Sequence, residues 1–377
     1  MARKTLCTLS TANLLHNLET IKARAPRAKV MAMVKANGYG HGIRSVSQRL
    51  EGSVDALGVA CIDEAIALRQ AKVQTPITLI EGVFAPEELA LASEQGFSVV
   101  FHSDHQVEWL KQAKLPSKIH AWLKIDTGMG RLGFSPETEA QAFRILSESS
   151  SVHQPVGIMS HFACADEPEK PINQKQIAAF QKFIKDKPGQ KSFCNSAAAF
   201  AFPEMQYDWI RPGLALYGAS PLEGRSAESL GLKPVMNFRT ELIAVQKFRR
   251  GDNVGYGAAF TCPEDMPVGI ASVGYGDGFP RIVRPGAVVL VDGERCPLVG
   301  RVAMDMAAVD LRPCADAVVG DKVTLWGEDL PIEELSAFSD RVSYDLLTGI
   351  QNRVRFVWKA AEAEEEETLV RVAARAR

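Results

Sequence analysis

The sequence lacks any apolar run long enough to cross a membrane, and its formal net charge at pH 7 is only −2. A membrane-spanning helix needs about 20 mainly apolar residues, so we expect no membrane partner. A balanced charge gives no indication of a surface for nucleic acid or acidic lipid. Near the N-terminus, Asn13, His16 and Asn17 interrupt the apolar stretch that a secretory leader requires. We therefore expect a cytoplasmic protein.

The seven cysteines are scattered along the chain, and no two of them have the C-x-x-C spacing. An odd number without a paired pattern fits a reducing compartment better than a disulfide framework. No group of histidine, cysteine and aspartate residues has the spacing of metal ligands either. The sequence therefore predicts neither structural disulfides nor a metal site.

The length of 377 residues exceeds what a single core usually fills, so we expect two domains. Up to Tyr217, apolar segments alternate with amphipathic helical patterns. The predicted strands are Val30–Lys35, Ala56–Cys61, Ile77–Glu81, Ser98–His102, Ala121–Asp126, Val156–His161, Ser192–Asn195 and Ile210–Tyr217. The clearest predicted helices are Ile62–Lys72, Pro86–Gln95, Asp104–Leu115 and Pro136–Glu148. This rhythm predicts an α/β fold of the (β/α)8 TIM type, with an open doubly wound sheet as the alternative.

After Tyr217 the pattern changes to short strands separated by tight turns, with few helices. The predicted strands are Glu241–Lys247, Val268–Val273, Ala287–Val291, Pro297–Val302, Ala307–Leu311 and Lys322–Leu325. Such spacing is typical of a smaller, mostly-β domain. We place the barrel at residues 1–223 and the second domain at 224–377, where the acidic tail from Ala360 onward is predicted to be a solvated end.

One segment carries the first chemical signal, the stretch from Lys29 to Gly42, KVMAMVKANGYGHG. An apolar run ends on Lys35 and is followed at once by three glycines in seven residues. A desolvated lysine amine is a usable nucleophile and can form a Schiff base. Glycines allow the backbone to approach a ligand closely. The alternative is a lysine that simply leaves a core strand for solvent.

Further polar residues lie at the ends of predicted strands, where barrel enzymes build their active sites. Arg131 follows the fifth strand, His161 ends the sixth, Asn195 closes the seventh, and Arg211 opens the eighth.

The loops after strands seven and eight usually bind phosphate in this fold. Ser196, together with the backbone amides of Gly213 and Leu214, offers hydrogen-bond donors there without a Walker motif. A lysine for a Schiff base, a phosphate cradle and two arginines together indicate pyridoxal 5′-phosphate.

At these residues the chain resembles the alanine racemases of the fold-type III pyridoxal phosphate enzymes. The blocks that carry the resemblance occur in the family's order and extend into the second domain: Val34–Gly42, Asp126–Gly133, Ser160–Ala163, Asn195–Ala198, Arg211–Gly218, Val254–Gly257, Gly274–Gly278 and Gly300–Asp305.

The resemblance implies a homodimer that interconverts L- and D-alanine by a two-base mechanism. Lys35 would hold the cofactor as a Schiff base and move the α-proton on one face. Tyr256 of the partner subunit would move it on the other face. The product D-alanine would serve peptidoglycan, or the enzyme would handle alanine catabolism.

The remaining roles also follow from the resemblance. Arg211 would face the pyridine nitrogen with His161 beside it, and Arg131 would bind the cofactor oxygen and the substrate carboxylate. Lys124 occupies the position of a lysine that is often carbamylated in the family. The implied cofactor-binding residues are Lys35, Tyr39, Arg131, His161, Asn195, Ser196, Arg211, Gly213, Leu214 and Tyr344; the implied substrate-binding residues are Arg131, Tyr275 and Met304, with Lys124 and Asp305 in support.

Ser192 departs from the pattern, because many relatives have a histidine three positions before the Asn-Ser pair.

Four alternatives remain beside this interpretation. The run from Gly128 to Gly133 satisfies G-x-G-x-x-G, but a dinucleotide site would need a helix that opens inside the motif. A single-domain cofactor carrier would need no second base. Among enzymes, the second candidate is a racemase for a larger amino acid, such as serine, or one of broad specificity. Decarboxylases of the same barrel family usually place a carboxylate where Arg211 stands.

Overall fold

The computed structural model describes residues 3–359, so the predicted solvated tail lies outside the described residues. The described chain divides into two compact units. One contains Leu18–Leu216 with Pro221–Arg225, and the other contains residues 3–17, 217–220 and 226–359. The predicted boundary between residues 223 and 224 stays a prediction about domains. Within residues 3–359, no helix is both long enough and apolar enough to cross a membrane.

The first unit is a closed barrel of eight parallel strands, as predicted, and the closure excludes the open sheet. In chain order its strands are β2 (Lys29–Met33), β3 (Ala56–Val59), β4 (Ile77–Leu79), β5 (Ser98–Phe101), β6 (Ile119–Lys124), β7 (Val152–Met159), β8 (Lys191–Asn195) and β9 (Trp209–Arg211). The barrel closes where β2 pairs with β9, with Val30 opposite Ile210. The strands read as continuous apolar runs because a parallel sheet of this type is covered on both faces.

Helix α1 (Thr11–Arg24) begins in the other unit and precedes the first barrel strand. The helices that follow barrel strands are α2 (Lys35–Tyr39), α3 (Ile43–Leu50), α4 (Ile62–Gln70), α5 (Glu87–Glu94), α6 (Asp104–Gln112), α7 (Glu139–Glu148), α8 (Pro171–Ile184) and α9 (Ser196–Ala201). Stacked aromatic rings join α8 to the barrel. Phe193 on β8 lies 3.9 Å from Phe162 and 4.5 Å from Phe180 between ring centroids. Burial of these rings supplies a large apolar contact between helix and sheet.

All eight predicted barrel strands differ from the observed strands in at least one limit, and three of the differences concern site residues. The prediction that His161 ends its strand is wrong, because β7 ends at Met159 and His161 lies in the segment that follows. The first barrel strand ends at Met33 rather than at Lys35, which instead begins a short turn. The eighth strand is Trp209–Arg211 and not Ile210–Tyr217, so Arg211 closes the strand rather than opening it. Pro212 follows directly and has no N–H to donate to a sheet, which explains the early end.

The strands of the second unit are β1 (Leu6–Ser10), β10 (Met236–Phe248), β11 (Asn253–Val254), β12 (Phe260–Thr261), β13 (Met266–Ala271), β14 (Val288–Val291), β15 (Glu294–Val299), β16 (Ala307–Asp310), β17 (Lys322–Trp326) and β18 (Arg355–Lys359), and its helices are α10 (Ile332–Ala337) and α11 (Ser343–Thr348). Eight of these strands form one sheet in the order β13-β16-β15-β14-β17-β10-β1-β18. Strands β11 and β12 form a separate hairpin. The mostly-β prediction is confirmed, although β1 and β18 were not predicted. They pair in parallel from the two ends of the described chain.

We predict that Phe193→Ala lowers the free energy of unfolding by about 3–5 kcal/mol, because it removes a fully buried ring from the contact between α8 and the barrel. Phe84→Ala is the matched control, since that ring is 59% exposed and its loss should change stability by no more than about 0.5 kcal/mol. Denaturant unfolding of both variants measures the difference. Equal losses would contradict the assignment of Phe193 to the core.

Candidate active site

Lys35 begins a turn whose backbone is held in an unusual conformation. The next three residues, Ala36, Asn37 and Gly38, have φ values of 52°, 56° and 63°. Side-chain-bearing residues adopt this left-handed region only when the surrounding structure holds them there. The Glu64 carboxylate supplies part of that restraint by accepting a hydrogen bond from the Ala36 amide at 2.7 Å. The turn therefore presents Lys35 in a fixed position at the carboxyl end of β2.

The amine of Lys35 faces a carboxylate. Its Nζ lies 3.5 Å from Oε1 of Glu81, and both side chains are about one-third exposed. Glu81 follows β4, and its backbone carbonyl accepts a hydrogen bond from Nε2 of His102 at 2.9 Å. The residue is therefore anchored through its backbone, while its side chain is available to Lys35.

Arg131 is carried by a loop that is organised around one aspartate. Oδ1 of Asp126 accepts hydrogen bonds from the amides of Gly128 and Met129 at 2.9 and 2.8 Å, and Oδ2 accepts one from Gly130 at 2.9 Å. These amides are the donors that a dinucleotide phosphate would need in a G-x-G-x-x-G loop. Because Asp126 already uses them, the loop fits the positioning of Arg131 and not a dinucleotide site.

Arg211 is buried at the end of β9, and its guanidinium contacts β8 and the residues that follow β7. Nη1 donates to Oγ of Ser192 at 2.5 Å, and Nη2 donates to the carbonyl of Ser160 at 2.6 Å. Nη2 also lies 3.2 Å from Nδ1 of His161. Ser192, which stands where many relatives have histidine, is thus a direct hydrogen-bond partner of Arg211.

Burial and neighbouring charge determine the protonation of this pair. Burial lowers the pKa of Arg211 to about 10, which leaves it charged at neutral pH. Burial, and then the positive charge of Arg211, lower the pKa of His161 well below its usual value. A neutral imidazole can accept the hydrogen bond from Arg211 through Nδ1. His161 is therefore a neutral partner of a cation at neutral pH.

Lys124 lies among the same charges and is only 5% exposed. Burial, and after it the positive charges of Arg211, Arg131 and Lys35, together lower its pKa to about 8, against a raising effect of Glu81. In the part of the chain that the structure describes, the principal charges acting on Lys124 are thus three cations and one carboxylate. The carboxyl end of the barrel carries an excess of positive charge that suits an anionic ligand.

A second group of site residues surrounds Ser196 at the start of α9. Its hydroxyl accepts hydrogen bonds from the amides of Gly213 and Ala215 at 2.7 and 3.3 Å. A Cβ at Gly213 would lie 2.2 Å from the hydroxyl of Tyr39, so only glycine fits between them. Tyr39, Ser196 and Gly213 therefore form one cradle of hydroxyls and backbone, and Leu214 follows in the next turn.

Asn195 has a local structural role in this cradle. Its Oδ1 accepts a hydrogen bond from the amide of Ala198 at 2.9 Å and so caps α9. The cap fixes the direction in which the helix leaves β8.

In the second unit the predicted residues carry exposed side chains. Tyr256 is 70% exposed and opens a short turn between β11 and β12, while Tyr275, Met304, Asp305 and Tyr344 are also exposed. Tyr275 and Met304 lie on neighbouring segments, because the amide of Gly276 donates to the Met304 carbonyl at 2.8 Å. The structure thus brings Tyr275, Met304 and Asp305 together, and Tyr256 lies on its own turn.

Comparison with known proteins accounts for both units. The family model described as "Alanine racemase, N-terminal domain" matches residues 9–221, and the one described as "Alanine racemase, C-terminal domain" matches residues 235–358. The chain belongs to the alanine racemase family.

Individual relatives agree with this assignment. An alanine racemase from Coxiella burnetii is 45% identical over 356 residues, which cover 93% of this chain and 97% of that protein. A biosynthetic alanine racemase from Pseudomonas aeruginosa has a solved structure that matches with a TM-score of 0.93 at 38% identity, and the match covers 95% of this chain and 100% of that chain. The alanine racemase structure from Acinetobacter baumannii matches with a TM-score of 0.90 at 38% identity, over 95% of this chain and 100% of that one.

Two carboxylates of this alanine racemase site were missed in the sequence. Glu64 lies in the first turn of α4, where an acidic residue reads as an ordinary helix-terminus charge. Glu81 lies two residues after β4. A polar residue at the carboxyl end of a barrel strand is the same signal that led to Arg131 and His161, so it also predicts Glu81 as a site residue.

We predict that Lys124→Met stabilises the cofactor-free chain at pH 7 by about 3 kcal/mol, because the folded state holds this amine with a pKa lowered to about 8 against an ordinary value of 10.5. Between pH 8 and pH 10.5 the Lys124 amine is protonated in the unfolded chain but mostly neutral in the folded chain. The stability of the wild type should therefore rise with pH through that window, and the advantage of the variant should shrink toward pH 10. Denaturant unfolding in CO2-free buffer at several pH values measures this. A variant less stable than the wild type at pH 7 would contradict the prediction.

Proposed function

We propose that this protein interconverts L- and D-alanine with pyridoxal 5′-phosphate as cofactor. The observation that carries the proposal is the cluster of Lys35, Lys124, Arg131 and Arg211 at the carboxyl end of the barrel, in a chain of the alanine racemase family. A lysine amine, an excess of positive charge and a glycine-lined cradle are the features that a phosphorylated aldehyde requires. The protein would act in the cytoplasm on free amino acids.

The residues of the barrel fit this cofactor. The cradle of Tyr39, Ser196 and Gly213 would hold the phosphate, with Leu214 contributing a further contact. When bound, the cofactor supplies an aldehyde that condenses with an amine and a ring that withdraws electrons from the α-carbon.

Arg211 would donate a hydrogen bond to the ring nitrogen without giving up its proton. Its pKa, although lowered by burial to about 10, stays above the working pH, so the guanidinium holds its protons. Ser192, Ser160 and the neutral ring of His161 fix its orientation. A donor that does not protonate the ring limits electron withdrawal, which favours simple racemisation over transamination. This property argues against a decarboxylase.

Arg131 would bind the substrate carboxylate, and its loop is held rigid by Asp126. The lowered pKa of Lys124, about 8, leaves part of this amine neutral at mildly alkaline pH. A neutral amine is the form that reacts with CO2, so we propose that Lys124 becomes carbamylated and places a negative charge beside Arg131.

Two bases would exchange the α-proton. The amine of Lys35 would serve one face of the substrate, and the phenol of Tyr256 from the partner subunit would serve the other. The exposure of Tyr256, Tyr275 and Met304 supports this arrangement, because large apolar side chains on a surface mark an interaction site. A two-fold homodimer would then contain two equivalent shared sites.

The proposal extends to the role of the product. The Pseudomonas aeruginosa relative is described as biosynthetic, and we propose that this chain likewise supplies D-alanine for peptidoglycan, with alanine catabolism as the alternative. A panel of alanine, serine and longer amino acids tests the substrate, because a racemase of broad specificity would turn over all of them. Turnover of serine at the rate of alanine would reject the proposed specificity.

We predict that borohydride reduction of the protein with pyridoxal 5′-phosphate fixes the cofactor to Lys35. Lys35→Ala should retain phosphate contacts, because these belong to other residues, but should lose racemisation of alanine. Lys111→Ala, at an exposed lysine of α6, is the matched control and should keep full activity. Peptide mapping locates the adduct, and its appearance on another lysine would reject the assignment.

We predict that two inactive variants restore activity when they are mixed. Lys35→Ala and Tyr256→Phe each remove one base. Random pairing after joint unfolding and refolding makes about half of the dimers mixed, and each mixed dimer has one intact site. Racemase activity should therefore return to roughly a quarter of the wild type. If native mass spectrometry shows mixed dimers while activity stays near zero, the two bases do not come from different chains.

A further inference from the structure

One buried carboxylate in the second unit is held by two arginines that are distant in the sequence. The side chain of Asp277 is fully buried. Arg3 donates to its two oxygens at 2.5 and 2.7 Å, and Nε of Arg353 donates to Oδ1 at 2.7 Å. The amide of Gly274 donates to Oδ2 at 2.9 Å. Asp277 therefore ties the residues before β1 and before β18 to the turn that carries Tyr275.

This turn is joined to the segment of Met304 along the backbone. The amide of Tyr275 donates to the carbonyl of Ala303 at 3.1 Å, and the amide of Gly276 donates to the carbonyl of Met304 at 2.8 Å. A Cβ at Gly274 would lie 2.2 Å from the Ala303 carbonyl oxygen, so the two segments meet without space between them. A shift of either segment must therefore move the other.

The same two arginines also bind the Met304 segment. Nη2 of Arg353 forms an ion pair with Asp305 at 2.5 Å, and Nη2 of Arg3 donates to the Asp305 carbonyl at 3.2 Å. Arg3 further donates to Oγ and to the carbonyl of Ser272. Each guanidinium therefore connects the Tyr275 turn with the Met304 segment.

Opposite charges strengthen the connection between the Tyr275 turn and the Met304 segment. Burial raises the pKa of Asp277, but the hydrogen bonds from Arg3 and Arg353 outweigh it and hold the pKa below its usual range. Asp277 and Asp305 in turn raise the pKa of Arg353. A buried carboxylate that loses its partner is strongly destabilised, so the Tyr275 turn cannot move away from the arginines at low cost.

We propose that Arg3, Asp277 and Arg353 are positioning residues that set the relative placement of Tyr275 and Met304 and thereby the size of the substrate that the site accepts. The link to substrate size rests on the proposed function. The placement of Tyr275 relative to Met304 is a structural property of this unit and does not depend on catalysis. Neither Arg3 nor Arg353 touches the reacting atoms in this assignment.

The test uses the full chain and the substitution Arg353→Met, which keeps an apolar stem but removes the guanidinium. Loss of charge-assisted hydrogen bonds should raise hydrogen exchange at Tyr275 and Gly276 roughly tenfold or more. Arg312→Met is the matched control, because Arg312 pairs in the same unit with the buried Asp310 and with Glu264. The control should leave exchange at Tyr275 unchanged.

A second measurement separates positioning from general stability. Arg353→Met should raise KM for alanine more than it lowers kcat and should increase the kcat/KM of serine relative to alanine several-fold. Arg353→Lys keeps a positive charge and should recover part of the alanine preference. Both effects should be absent from Arg312→Met.

Faster exchange throughout the unit, equal in Arg353→Met and Arg312→Met, would mean that the arginine serves stability alone and would overturn the proposal. Local exchange that rises while the ratio of serine to alanine stays at the wild-type value would overturn the link to substrate size. A wild type that racemises no alanine would reject the proposed function instead, and the exchange comparison would still decide the role of Arg353.

Discussion

An excess of positive charge at the carboxyl end of the barrel is the constraint on which the rest of the site depends. Arg211, Arg131 and Lys35 all act on Lys124 there, and Glu81 is the carboxylate that opposes them. Cations brought together in this way destabilise the folded chain unless an anion joins them. The excess charge suits an anionic ligand, and under the proposed function the phosphate of the cofactor and the carboxylate of the substrate would balance it.

The barrel keeps this charge unbalanced while still fixing its cations in place. Glu64 and Asp126 use their oxygens on backbone amides, at Ala36 and in the loop before Arg131, rather than on the cations themselves. Arg211 is oriented by neutral partners, among them Ser192. Backbone and neutral groups thus provide order, and the positive charge stays available to a ligand.

The sequence predicted the barrel, because parallel strands leave a regular apolar pattern along the chain. The roles of the candidate site residues stay predictions. The sequence did not predict where the polar residues sit within a turn. The placement of Arg211 was wrong since the effect of Pro212 on strand length was not weighed, and the contact with Ser192 depends on the register of β8 against β9. Strands β1 and β18 were missed because each finds its partner across most of the chain, where no local pattern records the pairing.

Charge is treated in opposite ways by the two units, and this difference follows from what each has to do. Asp277 has two opposite charges within hydrogen-bond distance, because Arg3 and Arg353 both bind its carboxylate, and Arg353 also pairs with Asp305. Such pairing fixes local structure. In the barrel, burial and the charges of Arg211, Arg131 and Lys35 lower the pKa of Lys124, so its charged form costs folding stability. Under the proposed function a bound anion would offset that cost. Paired charge therefore positions residues in one unit, whereas an excess of one charge makes the other suited to an anion.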